Sequence, residues 1–209
     1  MSSPKQLIEG FSRFREMHFA KDDTLYRELV EQGQTPKTLV VGCCDARVDP
    51  AIILDCAPGD LFVIRNVANL VPPAEDQGHY HGTSAALEFG VCELNVEHII
   101  VLGHAQCGGI HALMEGAMHK KDSFIAEWMG IADAAQQYVQ RELPGADLRQ
   151  RRRACEQRAI LGSLDNLLTF SWIRERVEQG TLTLHGWYFD MENGQLLSYN
   201  TTTRRFELL

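Results

Sequence analysis

The chain has 209 residues, 44% of them hydrophobic and 23% charged, which is the length and composition of one ordinary globular domain with room for an appended arm. Its 20 Lys and Arg are outnumbered by 28 Asp and Glu, for a net charge of -8; a nucleic-acid partner is therefore not expected, because a phosphate backbone needs a basic surface. Lys5, Glu9, Arg13 and Glu16 interrupt the first twenty residues, so no signal peptide or membrane span is expected there, and a soluble cytoplasmic protein acting on a small molecule is the reading.

In chain order, residues 3 to 32 predict two helices: Leu7, Phe11, Phe14 and His18 recur at helical spacing, Asp22 or Asp23 can cap the second helix, and Gly33 ends it. This amphipathic arm, taken as residues 1–34, has little of its own to pack on and is expected to lie across a partner subunit. Residues 35–209 form the α/β domain. TLVVG (38–42), LFVIR (61–65) and HIIVLG (98–103) are short continuous apolar runs, the pattern of strands buried on both faces. Between the last two, Ser84 caps a buried helix running to Leu94. Further helices are predicted over Asp122–Arg141 and Leu148–Glu178, the latter stopped by Gly180, and the basic cluster Arg149–Arg153 reads as a solvated helix face. TLTLHGWYFD and QLLSYN, joined through Glu192, Asn193 and Gly194, read as a hairpin at the sheet edge. Strands alternating with helices predict an α/β fold with a mostly parallel central sheet flanked by helices.

Six cysteines in a chain of this size and expected compartment read as free thiols or metal ligands. Cys56, Cys92 and Cys155 sit in apolar surroundings and read as small buried hydrophobes. Ligands of parallel sheets collect beyond the carboxyl ends of the strands, and two motifs fall there: Cys43-Cys44-Asp45-Ala46-Arg47 after the first strand and His104-Ala105-Gln106-Cys107-Gly108-Gly109 after the third. If those strands are neighbours, Cys43 meets His104 and Cys107. Thiolate and imidazole are preferred zinc ligands, and three of them leave the fourth position open for catalysis. A fourth ligand would make the site structural. Cys44 points to the opposite face in an extended segment, His111 lies one turn beyond Cys107, and Asp45 shares a face with Cys43 and can swing onto the metal.

Cys-x-Asp-x-Arg at 43–47 and His-x-x-Cys-Gly-Gly at 104–109 resemble the signature of the β-carbonic anhydrases. GQTPK (33–37), RNVANLVPP (65–73), SLDNLLTF and the late HGWYFD are similar to that family too. The resemblance implies zinc on Cys43, His104 and Cys107, a catalytic pair of Asp45 and Arg47, and reversible hydration of carbon dioxide to bicarbonate. It also implies a carbon dioxide pocket lined by Gln34, Phe62, Val67 and Phe89 with backbone from Gly108, completed in a homodimer or tetramer. Cys44 and Ala46 stand where serines are frequent, and Phe89 where tyrosine is usual. Val40 replaces the tryptophan of the bicarbonate-regulated subgroup, which implies the unregulated, plant-like type. A carbon disulfide or carbonyl sulfide hydrolase of the same fold is the first alternative, and a non-catalytic zinc or redox-sensing protein the second. His79 and His81, flanking Tyr80, read as surface or interface histidines, one of them a possible proton relay.

Overall fold

The computed structural model describes residues 3–21, 23–75, 81–116 and 123–209. The chain divides into two compact units, Met1–Thr35 and Pro36–Leu209. In the first, α1 (Pro4–Arg15) opens with a reciprocal cap in which Gln6 N–H donates to Ser3 Oγ and Ser3 N–H to Gln6 Oε1. The helix widens into a π-type segment, Glu16–Lys21, before α2 (Thr24–Gln32), which ends at Gly33 with φ 77°. The Phe14 ring gathers His18 and Tyr26, with centroids 4.8 and 5.6 Å away. None of the described residues in these segments is buried: Ile8, Phe11 and Val30 are 67%, 62% and 82% exposed.

The second unit is built on a six-stranded sheet in the order β2-β1-β3-β4-β5-β6. The strand β1 (Thr38–Cys43) is followed by the short α3 (Pro50–Ile53) and β2 (Leu61–Asn66). Next come α4 (Gly82–Glu88), prolonged by a π-type turn over Phe89–Glu93, then β3 (His98–His104) and α5 (Gly108–Met114). Helices α6 (Phe124–Met129), α7 (Asp133–Glu142), α8 (Leu148–Leu167) and α9 (Ser171–Glu178) lead to β4 (Thr183–Asp190), β5 (Gln195–Asn200) and β6 (Arg205–Leu208). The first four strands are parallel, and β5 and β6 run antiparallel at the end. No helix among the described residues is long and apolar enough to cross a membrane.

Alternation along β1 and β3 divides the core. Leu39, Val41, Ile99 and Val101 pack with Leu87, Ile160, Leu167 and Ile173 from the helices on one face, while Val40, Ile100 and Leu102 form a smaller cluster with Trp187 and Leu196 on the other. Each fully buried Leu or Ile contributes on the order of 1.5–3 kcal/mol. Helix α8 lies flush on the sheet: a Cβ on Gly103 would meet Ile160 Cδ1 at 2.6 Å.

Several predicted elements are corrected. The helix expected to be capped by Ser84 begins at Gly82. The one expected over Asp122–Arg141, whose Asp122 lies outside the described residues, is broken by a 3-10 turn at Gly130–Ala132 that lets Met129 and Ala132 both turn inward. The long helix to Glu178 is interrupted before Ser171, where Phe170 turns into the core at 7% exposure. The hairpin is present, but β6 lies outside it, so β5 is not the edge. At the other margin β2 pairs, among the described residues, only with β1, and Val63 is 39% exposed rather than buried on both faces. Cys92 is exposed and Cys56 half-buried; only Cys155 is the buried hydrophobe expected, its thiol pushed up to about 12 by burial.

Candidate metal centre

Leaving β1, the chain goes to one side to form β2 and returns to the other side to form β3, so the carboxyl ends of β1 and β3 flank a topological switch point. Cys43 is the last residue of β1 and His104 the last of β3. Gln106 then takes a left-handed conformation, φ 57°, and turns the chain so that Cys107 caps α5. The ligand atoms of Cys43, His104 and Cys107 all lie within 4.8 Å of one another, and all three residues are buried. No other such cluster of three occurs among the described residues.

His104 shows how the pocket is prepared. Its Nδ1 lies 2.9 Å from the Ala105 carbonyl oxygen, which fixes that nitrogen as the donor. Nε2 is left buried with no hydrogen-bond partner. An orphaned buried nitrogen is costly unless something occupies its lone pair, and beside two thiols that occupant is a thiophilic cation. The two thiols differ in their surroundings: a hydrogen bond from Cys107, helped by the nearby His104, lowers the Cys43 pKa, and the same Cys43 contact together with burial raises that of Cys107. Burial alone would lower the His104 pKa, but the nearby Cys43 sulfur and the Ala105 carbonyl raise it.

Asp45 sits beside the cluster, its N–H 3.4 Å from Cys43 Sγ. Arg47 grips both carboxylate oxygens, Nε to Oδ1 at 2.9 Å and Nη2 to Oδ2 at 2.7 Å, and its own N–H donates to Oδ1 at 3.0 Å. These hydrogen bonds hold Asp45 far below the usual carboxylate range. Arg65, from β2, braces the loop from below: it donates to the carbonyls of Cys43 and Asp45 and pairs with Asp49 at 2.8 Å.

A carbonic anhydrase family model matches residues 38–196. "Beta carbonic anhydrase 5, chloroplastic" of Arabidopsis thaliana is 41% identical over 186 residues, 87% of this chain; the chain spans about 60% of the length of that relative. Among solved structures, the beta-carbonic anhydrase CcaA superposes with a TM-score of 0.92 at 33% identity, over 98% of this chain and 91% of that one. A tetrameric beta-carbonic anhydrase from the ascomycete Sordaria macrospora gives 0.74 at 28% identity, over 93% and 92%. This chain belongs to the β-carbonic anhydrase family.

Within this family member, the sequence-predicted residues fall in distinct places. Cys43, His104, Cys107, Asp45 and Arg47 come together. Gly108 starts α5 with open space where a Cβ would stand. Val67 borders a largely apolar cavity of about 640 Å³ with Cys44, His81, Phe124, Ile125 and Trp128. Phe62 and Phe89 stack on each other at 5.9 Å, and Phe89 is 45% exposed at the start of its π-type turn. Gln34 is exposed in the first unit. His79 and Tyr80 lie outside the described residues. His111 falls outside the three-residue cluster: its Nε2 faces Glu156 at 3.2 Å, and burial and Arg152 lower its pKa.

Glu156 was not singled out in the sequence, yet it is 4% exposed and takes hydrogen bonds from Cys107 N–H at 3.1 Å and Tyr188 O–H at 2.8 Å. Burial outweighs these and raises its pKa. Nor is the basic cluster a solvated face throughout. The Arg152 side chain is 23% exposed and paired with Glu115, and Arg153 holds Asp190, itself 1% exposed, at 2.8 Å.

Proposed function

We propose that this chain hydrates carbon dioxide reversibly to bicarbonate and a proton at a zinc ion held by Cys43 Sγ, His104 Nε2 and Cys107 Sγ. The observation that carries the reading is the orphaned Nε2 of His104, buried within reach of two cysteine sulfurs beside the Asp45–Arg47 pair. When bound, zinc supplies a Lewis acid that makes water nucleophilic near neutral pH. The chain's own residues do the rest. Asp45, ionised throughout the working range, accepts a hydrogen bond from the attacking water through an Oδ lone pair and so aims the oxygen. Arg47 uses its planar fork to hold that carboxylate in place and away from the metal ligands, which a lysine point charge cannot do. Gly108 offers backbone and open space, while Phe62, Val67 and Phe89 supply apolar surface suited to the gas.

The arm's exposed Ile8, Phe11 and Val30 support association into at least a dimer, as does the tetramer described for the Sordaria macrospora relative. Zinc analysis of the purified chain with stopped-flow hydration of carbon dioxide is the test. One zinc per chain with rapid hydration is expected; a zinc-loaded chain that hydrolyses carbon disulfide or carbonyl sulfide and leaves carbon dioxide untouched would overturn the substrate assignment.

A further inference from the structure

Arg47 is fastened at a second point besides Asp45. Its Nη2 donates to the carbonyl oxygen of Gln106 at 3.1 Å. Gln106 is the residue between the ligands His104 and Cys107 that adopts φ 57°, a conformation that a non-glycine residue holds only where its surroundings over-determine it. Those surroundings are identifiable. Gln106 Nε2 donates to Glu192 Oε1, and Glu192 Oε2 accepts from Arg149 Nη2. Glu192 belongs to the β4–β5 turn, which Asp190 ties down by accepting from the N–H groups of Glu192 and Asn193 at 3.2 and 3.3 Å. Arg149 comes from the first turn of α8.

Taken alone, Arg149 and Glu192 would be an exposed pair of little energetic weight, since the arginine side chain is 77% exposed. Their connection gives them a role. The amide of Gln106 ties the turn to Glu192, and the carbonyl of the same residue is what Arg47 grips. Rotation of the Gln106 backbone toward ordinary φ would swing that carbonyl and leave one Nη2 hydrogen of Arg47 without its acceptor.

We infer that Gln106, Glu192 and Arg149 form a positioning relay for Arg47, holding the Asp45–Arg47 pair in register with the ligand cluster. The inference rests on the proposed hydration reaction for its kinetic consequence, but the positioning itself is measurable without it. Gln106→Asn is the informative variant, because asparagine tolerates the left-handed conformation while its side chain, one methylene shorter, does not reach Glu192. Glu192→Ala cuts the relay from the other side, Arg149→Ala removes only its exposed end, and Glu192→Gln keeps an acceptor for Gln106.

In the zinc-loaded protein, exchange of the Arg47 guanidinium protons read by 15N NMR is expected to quicken about fivefold in Gln106→Asn and Glu192→Ala, the effect of withdrawing one hydrogen bond's stabilisation. The turnover number for hydration falls by a similar factor with KM and zinc content unchanged. Arg149→Ala shifts both in the same direction by less, and Glu192→Gln recovers most of the loss. On an Arg47→Lys background, Gln106→Asn adds nothing, because the group it positions is gone. Parent-like Arg47 exchange in Gln106→Asn and Glu192→Ala overturns the relay, and so does an undiminished rate loss on the Arg47→Lys background. Should the parent chain fail to hydrate carbon dioxide, the reaction is misassigned and the exchange measurement still decides the relay.

Discussion

Arg47 holds Asp45 by both carboxylate oxygens across a separation of only two residues, through parallel bonds of 2.9 and 2.7 Å. So short a loop leaves the carboxylate little freedom, and the guanidinium is the part that decides where it points. Arg47→Ala and Arg47→Lys are therefore expected to keep zinc and lose about 10- to 100-fold in hydration rate, the range associated with a misplaced catalytic group. Stopped-flow measurements beside metal analysis check this; a parent rate in zinc-loaded Arg47→Ala would remove the pair from the mechanism.

Cys107 has a second expectation attached to it. It is 2% exposed, and its N–H is held by Glu156, so Cys107→Ser changes the ligand atom without disturbing the backbone that carries it. A hydroxyl is a far poorer zinc ligand than a thiolate. The variant should come out of purification folded and depleted in zinc by about tenfold or more, which elemental analysis reads directly. Full zinc occupancy would mean that the ligand set is wrong.

The arm supplies a third prediction. Deleting residues 1–32 removes a segment with no described buried residue, so the remaining unit should stay folded while association weakens and activity falls. Sedimentation velocity on the shortened chain is the measurement. A fully active, monodisperse monomer would contradict a subunit-spanning arm.

A fourth concerns acid. Burial would raise the Asp190 pKa, but Asn193 and Arg153 lower it below the ordinary value. A carboxylate whose folded pKa is depressed stabilises the fold above its unfolded pKa of about 3.9, and that stabilisation is lost as the pH falls through the folded value. Asp190→Asn should thus cost about 2 kcal/mol at pH 7, with the gap to the parent narrowing as pH falls below about 4. Urea denaturation of the metal-free proteins from pH 7 downward tests it; a gap that is constant with pH would show that charge is not the cause.

Much of the centre could be read from the sequence because its parts are local. Cys43 and Asp45 lie at the end of one apolar run, and His104 and Cys107 at the end of another. The adjacency of β1 and β3 was the one long-range assumption, and the register pairing Gly42 with Leu102 satisfies it. Glu156 and Tyr188 could not be read that way. Glu156 reaches Cys107 from α8 and Tyr188 reaches Glu156 from β4, and a lone glutamate in a helix rich in arginine carries no periodic signal that distinguishes it from a surface charge. Arg65 had a weak signal, a cation closing an otherwise apolar strand. The broken helices were missed because Gly130 and the turn before Ser171 interrupt helical spacing without a proline to mark the stop.

Residues 105 to 182 separate β3 from β4, the strand that pairs along its whole length. At ordinary rates of translation, about 5–20 residues per second, that stretch takes roughly 4 to 16 s to synthesise. During this interval a nascent chain that has formed β2, β1 and β3 presents the bare edge of β3, with Ile99, Ile100, Val101 and Leu102 in sequence. An unpaired apolar edge is a template for another chain, and non-local pairings of this kind are slow to form. The ribosome-bound chain is accordingly most exposed to misassociation after Cys43, His104 and Cys107 have been made and before Thr183 has emerged, the window in which a holding chaperone would change the yield of soluble protein.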